Sequence, residues 1–168
     1  MKDRPNLLFL DVDGVLNCQV FYEKRGWPTE EVSHAVANLC PDRIKWINDL
    51  CKDTNTKVVV SSTWRLGKHV DELQDMFDGV GGTFEVVGIT PSIHAQPPGP
   101  NPYNTASIPR GVEIKYWLDH TPFKYSNYAI VDDDGDMLLE QGPHFFQTDP
   151  YAGLTPFTCQ RIKDFLTP

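Results

Sequence analysis

The sequence is short of cysteine, of positive charge and of long apolar runs. Its 168 residues hold four cysteines, Cys18, Cys40, Cys51 and Cys159, spaced 22, 11 and 108 positions apart, with no C-x-x-C pair. That spacing excludes the common zinc and dithiol motifs and reads as reduced thiols of a cytoplasmic protein, not as a disulfide framework. Lysine and arginine number 15 against 23 acidic residues, a net charge of -8. A protein that grips a long duplex through many phosphates carries a basic face, so extensive nucleic-acid binding is disfavoured, whereas small ligands, metals and a single nucleic-acid end stay open. No apolar stretch nears the ~20 residues of a membrane span, and the run Leu7–Leu10 is too short for a signal peptide, so no membrane partner is expected. His34, His69, His94, His120 and His144 show no H-x-x-x-H or H-E-x-x-H spacing and read as structural or surface residues. What remains, 40% hydrophobic and 23% charged residues, is ordinary for a soluble globular chain, and the length suits a single domain spanning 1–168.

Three apolar runs end in polar residues. Leu7-Leu-Phe-Leu10 runs into Asp-Val-Asp-Gly, Val58-Val-Val60 into Ser61-Ser62, and Tyr128-Ala-Ile-Val131 into Asp132-Asp-Asp-Gly. Each reads as a strand buried on both faces. Helical spacing appears between them: Ile44, Ile47 and Cys51 within 41–52, Val70, Leu73 and Phe77 within 69–77, and Ile114, Trp117 and Leu118 within 111–119. A further strand is expected over Phe84–Ile89, and a last helix from Thr155-Pro156 to Leu166. The alternation predicts an α/β, Rossmann-like three-layer fold, a parallel sheet with helices on both faces. Ligands of such sheets bind beyond the carboxyl ends of the strands, where the acidic and hydroxyl residues fall. Two segments, 17–38 and 90–109, lack this periodicity, and the second holds six prolines; both are candidate lid loops. Phe21, Tyr22, Trp27 and Tyr103 lie in them and could stack on a base, whereas Trp46 and Trp117 fall on helix faces and read as core.

Asp11-x-Asp13 at a strand end brings two carboxylates toward one pocket. A calcium loop is the competing reading, for this run and for Asp132–Asp136, and counting removes it. The sixth and twelfth positions are Leu16 and Tyr22 from Asp11, and Met137 and Pro143 from Asp132, so neither run has the required glycine or the closing glutamate.

Leu-Phe-Leu-Asp11-Val-Asp13-Gly14-Val-Leu-Asn17 resembles the first motif of the haloacid dehalogenase (HAD) superfamily. Val58-Val-Val-Ser61-Ser62-Thr63-Trp64-Arg65 resembles the second, Arg110 or Lys115 on the helix carrying Glu113-Ile114 the third, and Ile130-Val131-Asp132-Asp133 the fourth. The Ser-Ser-Thr-Trp-Arg run, the paired Asp132-Asp133 and the late Thr148-Asp149 with Gly153-Leu154-Thr155 are similar to small HAD domains associated with RNA-repair proteins and, more distantly, to the phosphatase half of polynucleotide kinase/phosphatases.

The resemblance implies a phosphatase in which Asp11 attacks phosphorus to form an aspartyl-phosphate and Asp13 serves as acid and then base. A free carboxylate, with a reference pKa near ~3.9, is ionised at neutral pH, so acid catalysis needs like charges gathered close by. Four aspartates around a phosphate dianion call for a cation, and an all-oxygen donor set suits Mg²⁺. The family pattern gives that metal the Asp11 carboxylate, the Asp13 carbonyl and Asp133, with Asp132 supporting. Ser61, with Ser62 as its rival, would donate to the phosphoryl oxygens, and Arg65 would grip them bidentately. Either Arg110 or Lys115 would supply the third motif's charge. Asp13 to Ser61 spans 48 positions and Arg65 to Arg110 spans 45, much of each taken up by core elements. The site is therefore expected to be capless or lightly lidded and open to bulky substrates, a phosphorylated nucleic-acid end, a nucleotide or a phosphoprotein over a small metabolite; the RNA-repair resemblance implies a nucleic-acid 3′-phosphate end, while the acidity favours a free nucleotide. The rival from another class is a silent module that binds a nucleotide or phosphopeptide; it has no use for a second intact aspartate.

Overall fold

Alternate residues of each apolar run feed two different cores. In the computed structural model, which describes residues 4–28, 36–93 and 108–167, strand β1 (Asn6–Leu10) sends Leu8 and Leu10 to one face of the sheet and Leu7 and Phe9 to the other. Strands β2 (Thr56–Val60) and β4 (Tyr128–Asp132) do the same, Val58, Val60, Ala129 and Val131 opposing Val59 and Ile130. This two-sided burial is why the runs read as continuous hydrophobics. With β3 (Val86–Ile89) and β5 (Phe145–Gln147) they form a five-stranded, all-parallel sheet in the order β3-β2-β1-β4-β5.

The first face is covered by α2 (Pro41–Thr54), α3 (Val70–Asp78) and α5 (Pro156–Leu166), which insert Ile44, Ile47 and Leu50, Leu73 and Phe77, and Ile162 and Leu166. The second face is covered by α4 (Arg110–His120), through Ile114 and through Trp117, whose ring meets Phe9 edge-on at 5.5 Å. Truncating Ile44, Ile47, Leu50, Leu73 or Ile114, each fully buried, to alanine costs about 2–5 kcal/mol. The α/β architecture is thus as expected, with helices on both faces. Helix starts also follow local chemistry: Pro41 and Pro156 open α2 and α5, and the Thr155 hydroxyl caps α5 by accepting from Thr158 N–H.

Strand order reverses between β1 and β4, so a crevice opens at their carboxyl ends. Asp11 follows β1 and Asp132 closes β4, directly on that crevice.

Two elements depart from the sequence expectation. Part of segment 17–38 forms a helix, α1 (Gln19–Arg25), with a 3-10 turn at Val36–Asn38. β5 is an edge strand of three residues in which only Phe146 is buried. Residues 29–35 of the first lid candidate and 94–107 of the second, with Tyr103, His34 and His94, lie outside the described residues. All four cysteines are free and buried, and burial pushes the Cys51 and Cys159 thiols up to about 12 and about 11. Among the described residues no helix is long and apolar enough to cross a membrane.

Candidate active site

The strand-end aspartates converge. Oxygen atoms of Asp11, Asp132 and Asp133 all lie within 4.8 Å of one another. Asp11 and Asp132 are buried and Asp133 is half-buried. Burial first, and then the Asp132 carboxylate, push Asp11 up to about 8, against the opposing pull of Arg110 and the Ser62 hydroxyl. Burial likewise raises Asp132 to about 6 and moves Asp133 upward. Asp132 Oδ1 accepts from Asp134 N–H at 2.9 Å, while Oδ2 is buried without a hydrogen-bond partner among the described residues, with Arg110 Nε 3.8 Å away. Crowded, hard oxygen donors with an orphaned lone pair fit a small divalent cation.

Gly14 makes this crowding sterically feasible. Its φ is +73°, and a Cβ there would stand 2.3 Å from the Asp133 carboxyl carbon, so only glycine leaves Asp133 room beside the β1 turn.

Asp13 is held apart from that triad. It is exposed, and its two oxygens accept from Asn17 Nδ2 at 2.8 Å and Trp64 Nε1 at 3.0 Å. Its carboxylate therefore faces the cleft in a fixed pose, suited to proton transfer with a group arriving from solvent. The two serines separate. Ser62 donates to Asp11 and accepts from Trp64 N–H, whereas the Ser61 hydroxyl is buried with no partner among the described residues. Thr63, not singled out from the sequence, lines the cleft instead.

The three candidate cations also separate. Arg110 starts α4, where the Asp136 carboxylate accepts its backbone N–H at 2.7 Å, and its side chain reaches the cleft beside Asp11 and Asp132. Lys115 is one turn further on, half-exposed, and pairs with Asp119 and Glu140 away from the cleft. Of the two expected alternatives, only Arg110 joins the aspartates. Arg65, expected to grip the phosphate, is turned into the protein. Its Nε donates to Thr90 O, Nη1 to Ser61 O and Ser62 O, and Nη2 to Pro91 O and the Glu113 carboxylate at 2.6 Å. A guanidinium has five N–H donors, and all five are spent on the protein, so none is left for a phosphate.

The cleft encloses about 540 Å³. Tyr22, Trp27 and Tyr151 contribute to its wall. A larger apolar groove, about 850 Å³, lies over β3 and the far end of α4, but no carboxylate is among its described lining residues and no nucleophile pairs with a base there. The smaller, charged cleft is the site that can do chemistry. Trp64 and Gly14 sit inside the motif runs and Asp136 shortly after the fourth, but their roles depend on contacts that spacing does not encode.

A family model described as the HAD domain in Swiss Army Knife RNA repair proteins matches residues 7–158, nearly the full span of the sheet and its helices. No curated protein and no solved structure matches the chain.

Proposed function

The chain belongs to the family of HAD domains found in Swiss Army Knife RNA repair proteins, and from that premise we propose that it is a magnesium-dependent phosphomonoester hydrolase acting on a nucleotide or a nucleic-acid 3′-phosphate end. The observation that carries the proposal is the triad of buried Asp11 and Asp132 with half-buried Asp133, with Arg110 beside it and Asp13 held separately at the mouth. The Asp11 carboxylate attacks phosphorus, and the P–O bond to the leaving group breaks as Asp13 gives that oxygen its proton. Asp13, now ionised, takes a proton from water. The resulting hydroxide cleaves the aspartyl-phosphate, returning Asp11 and releasing phosphate. Arg110 offsets charge on the phosphoryl oxygens, and Asn17 and Trp64 keep Asp13 aimed. Mg²⁺, when bound by Asp11, Asp133 and Asp132 with the Asp13 carbonyl, supplies the positive charge that lets a dianionic substrate approach the aspartates.

Phosphate release from an aryl phosphate tests the reading. Release is expected with Mg²⁺, is lost on chelation, and falls roughly 10⁴-fold or more in Asp11→Asn. Release that survives Asp11→Asn, or none from the native chain, leaves the binding-module reading in its place. Comparing 3′-phosphorylated oligonucleotides with nucleoside monophosphates then ranks the substrates.

A further inference from the structure

We infer that the cleft carries a stacking platform, Trp27 backed by Tyr22 and accompanied by Tyr151, that takes the base of the nucleotide bearing the scissile phosphate. The inference rests on the phosphatase reading and adds to it how the substrate is held. Helix α1 ends at Gly26, whose φ of +101° turns the chain while its N–H donates to Tyr22 O at 2.7 Å. The turn lays the Trp27 ring on Tyr22, centroids 5.1 Å apart and planes 29° apart. Tyr22 is buried, yet Trp27 is 65% exposed, so one face of the indole is supported and the rest is open to the cleft it lines. Tyr151, half-exposed, belongs to the same wall: Gln19 and Val20 N–H donate to Pro150 and Tyr151 carbonyls at 3.2 and 3.1 Å, locking that loop to the start of α1.

The charges of the wall say what such a platform is for. The described lining holds six aspartates and a single basic residue, Arg110. Arg110, together with a cation held by the aspartates, would suffice for one phosphate. Further phosphates of a strand would meet Asp134 and Asp149, and the described lining offers them no second cation. Recognition of a polynucleotide by its backbone is thereby disfavoured, and affinity has to come from a neutral part of the substrate. Base stacking provides it, is indifferent to base identity, and is worth roughly tenfold or more in affinity per base. The substrate class is then a terminal nucleotide with an intact base, the rest of the strand contributing little.

The test compares 3′-phosphorylated oligonucleotides that end in a normal nucleotide or in an abasic one. The native chain is expected to favour the base-bearing end by roughly tenfold or more in kcat/KM, mostly through KM. Trp27→Ala is expected to bring the two rates together, while Trp27→Phe keeps most of the preference and Tyr116→Ala, at an exposed aromatic outside the cleft, keeps all of it. A nucleoside 3′-monophosphate should be hydrolysed within a few-fold of a decamer. Equal rates on the two ends, or a preference unchanged in Trp27→Ala, overturn the platform even where aryl phosphate is hydrolysed and the phosphatase reading stands. Where no substrate is hydrolysed, that reading falls, and tryptophan emission decides the platform alone: quenching by a nucleoside 3′-monophosphate that disappears in Trp27→Ala supports it, and absence of quenching overturns it.

Discussion

Two charged clusters meet at the start of α4, and they are built on opposite rules. Around Arg65 every donor has an acceptor, and Glu113 accepts from Arg65 and from Ile93 N–H at 3.0 Å, so a buried ion pair is complete within the protein. Around Arg110 three carboxylates share one guanidinium, held at 3.8 Å from Asp132, and an Asp132 oxygen has no hydrogen-bond partner among the described residues. The saturated cluster stabilises the fold and is closed to ligands. The under-satisfied one gathers acidic groups that burial and mutual repulsion make hard to ionise, and positive charge is what it lacks. Glu113 joins the two: it sits 2.6 Å from Arg65 and 3.7 Å from Arg110, so the complete pair steadies the incomplete one.

Breaking the saturated cluster should have the largest effect. Arg65→Met leaves the Glu113 carboxylate buried without its partner, and a loss of about 3–5 kcal/mol of folding stability is expected in urea denaturation. Arg65→Lys should recover little of it, because a single ammonium cannot replace the five-pronged contact. A wild-type-like midpoint in Arg65→Met would remove the distinction between the clusters. Arg110→Ala is next, and it acts on the other quantity. Activity on an aryl phosphate should drop about 10²–10³-fold, as for loss of one preorganised donor, with little change in the denaturation midpoint.

The under-satisfied cluster also makes a prediction about pH. Folding raises Asp11 from its ordinary 3.8 to about 8 and Asp132 to about 6, so between these limits the folded chain holds protons that the unfolded chain releases. Stability of the metal-free protein must therefore fall as pH rises from about 4 to about 8. Asp11→Asn should flatten that slope and raise the metal-free Tm at pH 8 by several degrees, while Mg²⁺ should restore stability to the native chain and not to the variant. Thermal melts at pH 5 and pH 8, with Mg²⁺ and with chelator, check it. A metal-free Tm that climbs with pH would show that the aspartates are not crowded at the folded chain's expense.

Sequence legibility follows the same division. The strands were readable because both faces are buried, and the strand-end aspartates because polar residues are abrupt after such runs. Helix α1 was not, since it buries only Tyr22 and its first amides are satisfied by carbonyls of Pro150 and Tyr151, more than a hundred positions away. β5 was too short, with one buried side chain, to show alternation. Arg65 has the residue type and place of a phosphate ligand, and what redirects it is Glu113, 48 residues later, together with the carbonyls of Thr90 and Pro91. Arg110 and Lys115 were equivalent candidates by spacing, and the path of α4 separates them, turning Arg110 toward Asp132 and Lys115 toward Asp119.

That separation yields the smallest expected effect. Lys115 lies on the same helix as Arg110 and is a plausible phosphate ligand from the sequence, yet its ammonium is spent on the exposed Asp119 and, more distantly, Glu140. Those partners raise the affinity of the amine for its proton, so it stays charged across neutral pH, but an exposed pair in water contributes little. Lys115→Ala should leave kcat/KM on an aryl phosphate within about twofold of the native value and shift Tm by no more than about a degree. Measured beside Arg110→Ala, this turns the geometric separation into a kinetic one. A hundredfold loss in Lys115→Ala would mean that α4 turns or slides when substrate binds, and the division between a closed cluster and an open one would then hold only for the free protein.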